Sequence, residues 1–288
     1  MNMEPECISC SFRQSERILK FLDIDKEKQF EILKKIALFY SKVEKFNNTP
    51  AYFGSFAYHI ISEETGVKDP YNSLKKKYNK LILSYEDEIK SKINSSNDKL
   101  YTSLKYSVIG NQIDFGVDVK INIEEEISII NDITFAIDDY AIFLKKLETA
   151  NSLLLLADNA GEVIFDIILL EEIHTLYRNI NIKIGVKSVP IINDITYDDM
   201  KELKLPEYIK IIGNGNSFVG TILSECSEEF KQEFYNSDII LSKGQANFET
   251  LNQFREKDIF FLFKSKCAIV SNYLNVKNND NIFWFNNK

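Results

Sequence analysis

Apolar residues recur three and four positions apart through the first third of the chain. Ile18, Leu19 and Leu22 form one stripe, and Phe30, Ile32, Leu33, Ile36, Ala37 and Tyr40 a second, so two amphipathic helices are expected. Thr49-Pro50 reads as an N-cap followed by proline in the first turn, opening a third helix that runs past His59 to Glu64 and stops at Gly66. Asp69-Pro70-Tyr71 opens a long lysine-rich helix, and Asp98 caps another through Leu100, Leu104, Tyr106 and Val108. Helical spacing persists from Ile127 to Leu147, and the period changes at Leu153. Short apolar runs then fall at Leu153–Leu156, Ile182–Val186, Tyr208–Ile212, Asp238–Leu241 and Ile259–Phe263. Polar turns and amphipathic segments separate them, the pattern of right-handed β-α-β crossovers. A last run, Ile282–Phe285, reads as an edge strand. The expected fold class is α/β: a helical N-terminal bundle over 1–109, then a Rossmann-like, mostly parallel sheet flanked by helices over 110–288.

With 288 residues, 44% hydrophobic and 27% charged, the chain has the composition of an ordinary globular protein. No apolar run approaches the roughly 18 residues of a membrane helix, so no membrane partner is expected. The N-terminus Met-Asn-Met-Glu-Pro-Glu-Cys carries acids where a signal peptide has basic residues, and a cytoplasmic location is the expectation. A formal charge of −8 argues against nucleic acid, whose phosphates demand surplus lysine and arginine. Of the four cysteines, Cys7 and Cys10 form C-x-x-C, a spacing suited to metal binding or redox chemistry in a reducing compartment. Packed, unreactive thiols account for it equally well.

In open α/β sheets ligands bind outside the carboxyl ends of the strands, and all five runs end in polar residues. The first ends in Asp158-Asn159-Ala160-Gly161-Glu162; Asn193-Asp194-Ile195-Thr196 follows the second. The third ends in Gly213-Asn214-Gly215-Asn216, the fourth in Ser242-Lys243-Gly244-Gln245-Ala246-Asn247, and the fifth in Lys264-Ser265-Lys266-Cys267. Each has a plainer use in helix capping, including a capping box from Thr196 to Asp199. As a set they do more. Asp158, Asn159 and Asp194 are hard oxygen donors suited to a divalent cation. Glycines such as Gly161 and Gly244, beside helix starts, offer backbone N–H groups to an anion. Lys264 or Lys266 adds a point charge. Together these imply a small phosphorylated substrate.

The same residues carry a family resemblance. Ala157–Glu162, Asn193–Thr196, Lys243–Glu249, Lys264–Cys267, Gly110–Gly116 and Asp69–Tyr71 resemble motifs of the damage-control phosphatases. This is the group with the ARMT-like metal-binding domain, and the C-x-x-C and K-x-K-C forms resemble its prokaryotic branch. The resemblance implies a metal-dependent phosphatase with Mn²⁺, Co²⁺, Ni²⁺ or Mg²⁺ held by Asp158, Asn159 and Asp194, and substrate contacts from Lys266 and Asn247-Phe248. It also places Asn111 and Asp114 at the site. Val219 stands where the resemblance leads one to expect proline before Gly220-Thr221.

The expected reaction is hydrolysis of a phosphomonoester, a sugar phosphate or a damaged phosphometabolite. The phosphate lies against Lys266 and the helix that starts near Gly161, and Asp114 or Glu162 orients the attacking water. Attack by Asp158 itself, through an aspartyl-phosphate, is the other route. Two competing readings are an S-adenosylmethionine-dependent carboxyl methyltransferase, for which the usual glycine-rich opening loop is missing, and a non-catalytic metabolite-binding protein. Cys7, Cys10 and Cys267 are candidates for a second metal. His59 and His174 sit on expected helices and read as core or surface residues, not ligands.

Overall fold

A computed structural model describes residues 1–112 and 123–287. Asp114 and the side chain of Asn111 lie outside the described residues.

Three helices open the chain: α1 (Pro5–Phe21), α2 (Lys26–Ser41) and α3 (Pro50–Thr65). The hydroxyl of Thr49 accepts from Tyr52 N, and Gly66 ends α3 at φ 70°, a left-handed conformation that glycine adopts without a Cβ penalty. Their apolar stripes meet in a core of their own, built on Ile18, Leu19, Ile32, Ile36, Phe53, Ala57 and Ile61. The expected lysine-rich helix is two helices, α4 (Asn72–Leu83) and α5 (Glu86–Asn94). The break at Ser84-Tyr85 lets the acidic first turn of α5, Glu86 to Glu88, sit at a positive helix end. Next comes α6 (Lys99–Gln112), and after the undescribed stretch a short α7 (Ile123–Ser128).

The sheet follows: β1 (Phe135–Asp138), α8 (Tyr140–Leu147), β2 (Ser152–Leu156), α9 (Glu162–Leu176), β3 (Asn181–Val186), α10 (Tyr197–Lys201), β4 (Ile209–Gly213), α11 (Glu228–Asn236), β5 (Ile239–Lys243), α12 (Gln245–Leu251), β6 (Ile259–Lys264), α13 (Ala268–Leu274) and β7 (Asn281–Phe285). Spatial order is β1-β7-β6-β5-β2-β3-β4. All neighbours pair parallel except β7, which runs antiparallel to β6. The mostly parallel sheet expected from the apolar runs is therefore present.

Two expectations change. A strand, β1, interrupts the helical pattern expected across 127–147, because its alternating Phe-Ala-Ile-Asp half-buries Phe135 and Ile137 and pairs with β7. That pairing puts β7 inside the sheet and leaves β1 as the edge. Asp139 locks the junction: its amide donates to Phe283 O at 2.9 Å, and its Oδ2 accepts from Phe285 N at 2.7 Å.

Strand β2 lies inside the sheet between β5 and β3, with Leu155 opposite Ile184 on one side and Leu241 on the other. Side chains alternate across a strand. Leu153 and Leu155 therefore enter the core beneath α9, and Leu154 and Leu156 the opposite core with Phe230, Phe248 and Phe261. Each fully buried leucine contributes about 1.5–3 kcal/mol, so the end of β2 is firmly anchored. Packing does not follow the expected boundary at 109. Tyr78, Ile82, Ile89, Leu100 and Leu104, from α4 to α6, belong to the same core as the sheet, and only α1 to α3 have a separate one.

Candidate active site

The chain order reverses at β2, whose neighbours are β3 and β5; such switch points form the ligand crevices of α/β sheets. Asp158 and Asn159 leave β2 there. A short bridge ties Asn159 to Asp194, with Ile195 N donating to Asp158 O at 2.9 Å and Ala160 N to Asn193 O at 3.0 Å. The β3 loop is thus folded back against the β2 turn. From the other side, the turn after β5 presses Gly244 onto the Asp158 carboxylate: a Cβ on Gly244 would stand 2.0 Å from Asp158 Oδ2. Only glycine fits that contact at φ 78°.

Asp158, Asn159 and Asp194 are all buried. The Asn159 amide donates to Asp158 Oδ2 at 2.8 Å and to Glu162 Oε2 at 2.9 Å. Two carboxylates thus fix the NH₂ end of Asn159. Asp194 Oδ2 lies 3.6 Å from Lys187 Nζ, while its Oδ1 is buried without a hydrogen-bond partner. Lys187 also donates to Gly220 O, tying the β3 end to the β4 loop. Burial pushes the Asp158 carboxyl well above its usual range, with Glu162 and Asp194 adding to the shift. Burial likewise lifts Asp194 to about 6, opposed by Lys187. Four buried carboxylates (Asp158, Glu162, Asp166, Asp194) face three buried lysines, Lys187, Lys243 and Lys75, the last already paired with Asp69 and Asp199. An orphaned oxygen, an all-oxygen donor set and that shortage of positive charge all suit a divalent cation.

Lys243 is the counter-charge beneath the site. It is fully buried and donates to Glu162 Oε1 at 2.7 Å, Asp166 Oδ1 at 2.6 Å and Ser107 O at 3.0 Å. Glu162, expected to orient water, is instead 0% exposed and holds Asn159 while pairing with Lys243. Asn247, expected to touch substrate, is a brace: its amide donates to Lys243 O at 2.8 Å and its Oδ1 accepts from Thr221 Oγ1 at 2.8 Å. The Gly161 amide, expected at the phosphate, donates to Asn79 Oδ1 of α4 at 2.6 Å. Lys266 is exposed, and its charge acts on Asp158. Lys264 ends β6 beside Asn281.

The helical part fixes the site from above. Lys75 of α4 is buried between Asp69 at 2.8 Å and Asp199 at 2.6 Å, and Asp199 closes the expected capping box with Thr196, two residues after Asp194. Helix α3 docks on the β4 loop: Tyr52 stacks on Phe218 at 5.5 Å, His59 Nε2 lies 3.0 Å from Ser217 O, and Val219 N donates to Ser55 Oγ at 2.9 Å. A proline at 219 would lack that donor, which gives the departure at this position a structural use. No local pattern singles out Lys243, Asp166, Lys187, Lys75 and Asn79, because most of their partners lie scores of residues away along the chain.

The cysteines do not form a site of the same kind. Burial raises the Cys7 thiol to about 11, with Glu249, Cys267 and Cys10 adding to it, and burial raises Cys267 as well. Among the described residues no three His, Cys, Asp or Glu side chains converge to hold an ion. The expected second metal at Cys7, Cys10 and Cys267 therefore has no ligand cluster, and the strand-end set is two carboxylates and an amide. An open recess of about 370 Å³, lined by Lys146, Asp238, Lys257 and Asp258, lies at the opposite end of the sheet. Among the described residues no helix is long and apolar enough to cross a membrane.

A family model described as the damage-control phosphatase ARMT1-like domain matches residues 3–282. The chain belongs to that family. It is 33% identical to a damage-control phosphatase of Pyrococcus horikoshii, over 96% of this chain and 95% of the relative. It is 34% identical to an uncharacterized protein of Methanocaldococcus jannaschii, over 98% and 95% of the two chains. The crystal structure of a DUF89 family protein from Pyrococcus horikoshii superposes with a TM-score of 0.91 at 32% identity, covering 99% of both chains. The family and these relatives support a phosphatase-type, hydrolytic function.

Proposed function

We propose that the protein is a metal-dependent phosphomonoesterase acting on small phosphorylated metabolites, with the divalent ion held by Asp158, Asn159 and Asp194. The partnerless, buried Asp194 Oδ1 beside Asp158 and Asn159 carries this reading. When bound, such an ion neutralises phosphoryl charge and acts as a Lewis acid. Phosphoryl transfer otherwise asks for positioning and electrostatics, and the chain's own residues supply both. Lys266 meets the phosphate from the exposed side. Lys243 and Glu162 hold Asn159 from below, and Lys75, through Asp199 and Thr196, holds the Asp194 loop. Because Lys243 and Asn159 engage Glu162, orientation of the water falls to Asp158 or to Asp114. A water oxygen bonds to phosphorus as the ester P–O bond breaks, and a proton given up by that water ends on the leaving oxygen.

The test is phosphate release from p-nitrophenyl phosphate and a hexose phosphate with Mn²⁺, Co²⁺, Ni²⁺ or Mg²⁺. We expect Asp194→Asn to lower kcat/KM at least about a hundredfold, ~2.7 kcal/mol. The same variant should lose the stabilisation by Mn²⁺, which at a hundred times Kd is worth about 2.7 kcal/mol. Full activity and an intact Mn²⁺ response in Asp194→Asn would overturn the assignment.

A further inference from the structure

The strand-end donors account for a phosphoryl group; nothing in them selects the organic portion of a substrate. That selection has to come from a residue above them, and α3 presents one face there. Ala51, Ser55 and Tyr58 repeat at i, i+4 and i+7, one side of a helix. Ala51 is buried with Ile191 and Val219, and Tyr58 packs on the same cluster with Ile192 and Ala246. These partners come from the loops after β3 and β4, which carry Asp194 and Gly220, and from the first turn of α12, which follows Gly244. The half-buried Tyr58 donates its hydroxyl to Oε1 of Gln14 at 2.7 Å, and Gln14 is an exposed residue of α1. Burial holds the phenol well above its usual pKa, and Tyr71, Cys10 and Asp194 act on it in the same direction. The group is therefore a neutral hydroxyl within electrostatic reach of Asp194.

We propose that Tyr58, braced by Gln14, is the specificity-determining residue that contacts the hydroxylated organic portion of a phosphate monoester bound at Asp158, Asn159 and Asp194. The inference rests on the phosphatase reading above. With its proton given to Gln14, the phenol oxygen keeps lone pairs for a substrate O–H. A site built to meet a hydroxyl discriminates strongly against an analogue that lacks it.

The experiment compares kcat/KM for a hexose phosphate and for p-nitrophenyl phosphate, with Mn²⁺, in the full-length wild type, Tyr58→Phe and Gln14→Ala. We expect the hexose-to-aryl ratio to fall about tenfold in Tyr58→Phe, ~1.4 kcal/mol, mainly through KM. A smaller fall in the same direction is expected for Gln14→Ala. An unchanged ratio in Tyr58→Phe overturns the proposal. So does an equal loss on both substrates, which with a melting curve would mark Tyr58 as structural. If the wild type hydrolyses neither phosphate, the phosphatase reading itself falls, and this inference with it.

Discussion

Replacing Lys243 with methionine probes the ion cluster under the site. The side chain is 0% exposed and donates to Glu162 Oε1, Asp166 Oδ1 and Ser107 O at 2.7, 2.6 and 3.0 Å. Methionine fills much of the same volume but leaves two buried carboxylates with no cation, a change that costs about 3–5 kcal/mol. Against a typical total of roughly 5–15 kcal/mol this is a large fraction, and for a chain of this length it lowers Tm by about 5–8 °C. The deficit depends on pH with a definite sign. Burial already raises Asp166 to about 6 with Lys243 in place; without the lysine the Asp166 carboxyl rises further above its unfolded value. Protonation then favours the folded variant, so its deficit is largest above about pH 7 and shrinks as pH falls. Melting curves of wild type and variant from pH 5 to 8 measure this. A loss under ~1 kcal/mol, or one that is constant across that range, would refute the electrostatic account of the cluster.

Two further perturbations address separate parts of the molecule. Gly244→Ala places a Cβ 2.0 Å from Asp158 Oδ2 at a φ of 78°. Backbone strain alone costs about 1–3 kcal/mol, while displacement of Asp158 by about 1 Å lowers kcat/KM by roughly a hundredfold; activity within twofold of wild type would contradict the contact. Burial raises Glu249, on α12, from 4.5 to about 7, against a hydrogen bond from Gln245 at 2.9 Å. Its folded pKa lies above the unfolded one, so stability falls as pH climbs from about 4.5 to about 7, and the full penalty stands above that. Because Glu249 is part-exposed, Glu249→Gln should raise stability at pH 8 by only about 1–2 kcal/mol. The two proteins should melt alike near pH 4.5, and a gain equal at both pH values would rule out titration of Glu249 as the cause.

The fold was legible wherever one physical preference ruled a segment. Leu153–Leu156 is buried on both faces and so reads as a continuous apolar run, as central parallel strands do. Thr49-Pro50 and Gly66 marked both ends of α3 because capping chemistry is local. β1 was hidden because four residues, Phe135 to Asp138, are too few to break a helical period read over a longer window. Its status as a strand depends on β7, which lies far along the chain. The core that each helix joins was hidden for a related reason. Periodicity separates helices from strands, but α4 to α6 are helices that pack on the sheet, and no composition change marks which core a helix joins.

The candidate site divides along the same line. Asp158 and Asn159 were visible because they stand just past an apolar run, and Asp194 because it lies in the loop after the next one, where topology alone gathers residues. What holds them was not visible. Lys243 reads as one polar residue at a strand end, and only the fold shows it 2.7 Å from Glu162 and 2.6 Å from Asp166. Glu162 and Asn247 were assigned to chemistry because of their positions, yet contacts to Lys243 and Thr221 occupy them. A buried lysine between two carboxylates is costly unless every donor is satisfied, and here all three are. The cluster thus constrains Asn159 through Glu162, so the geometry of the proposed cation donors depends on a lysine and a carboxylate buried beneath them.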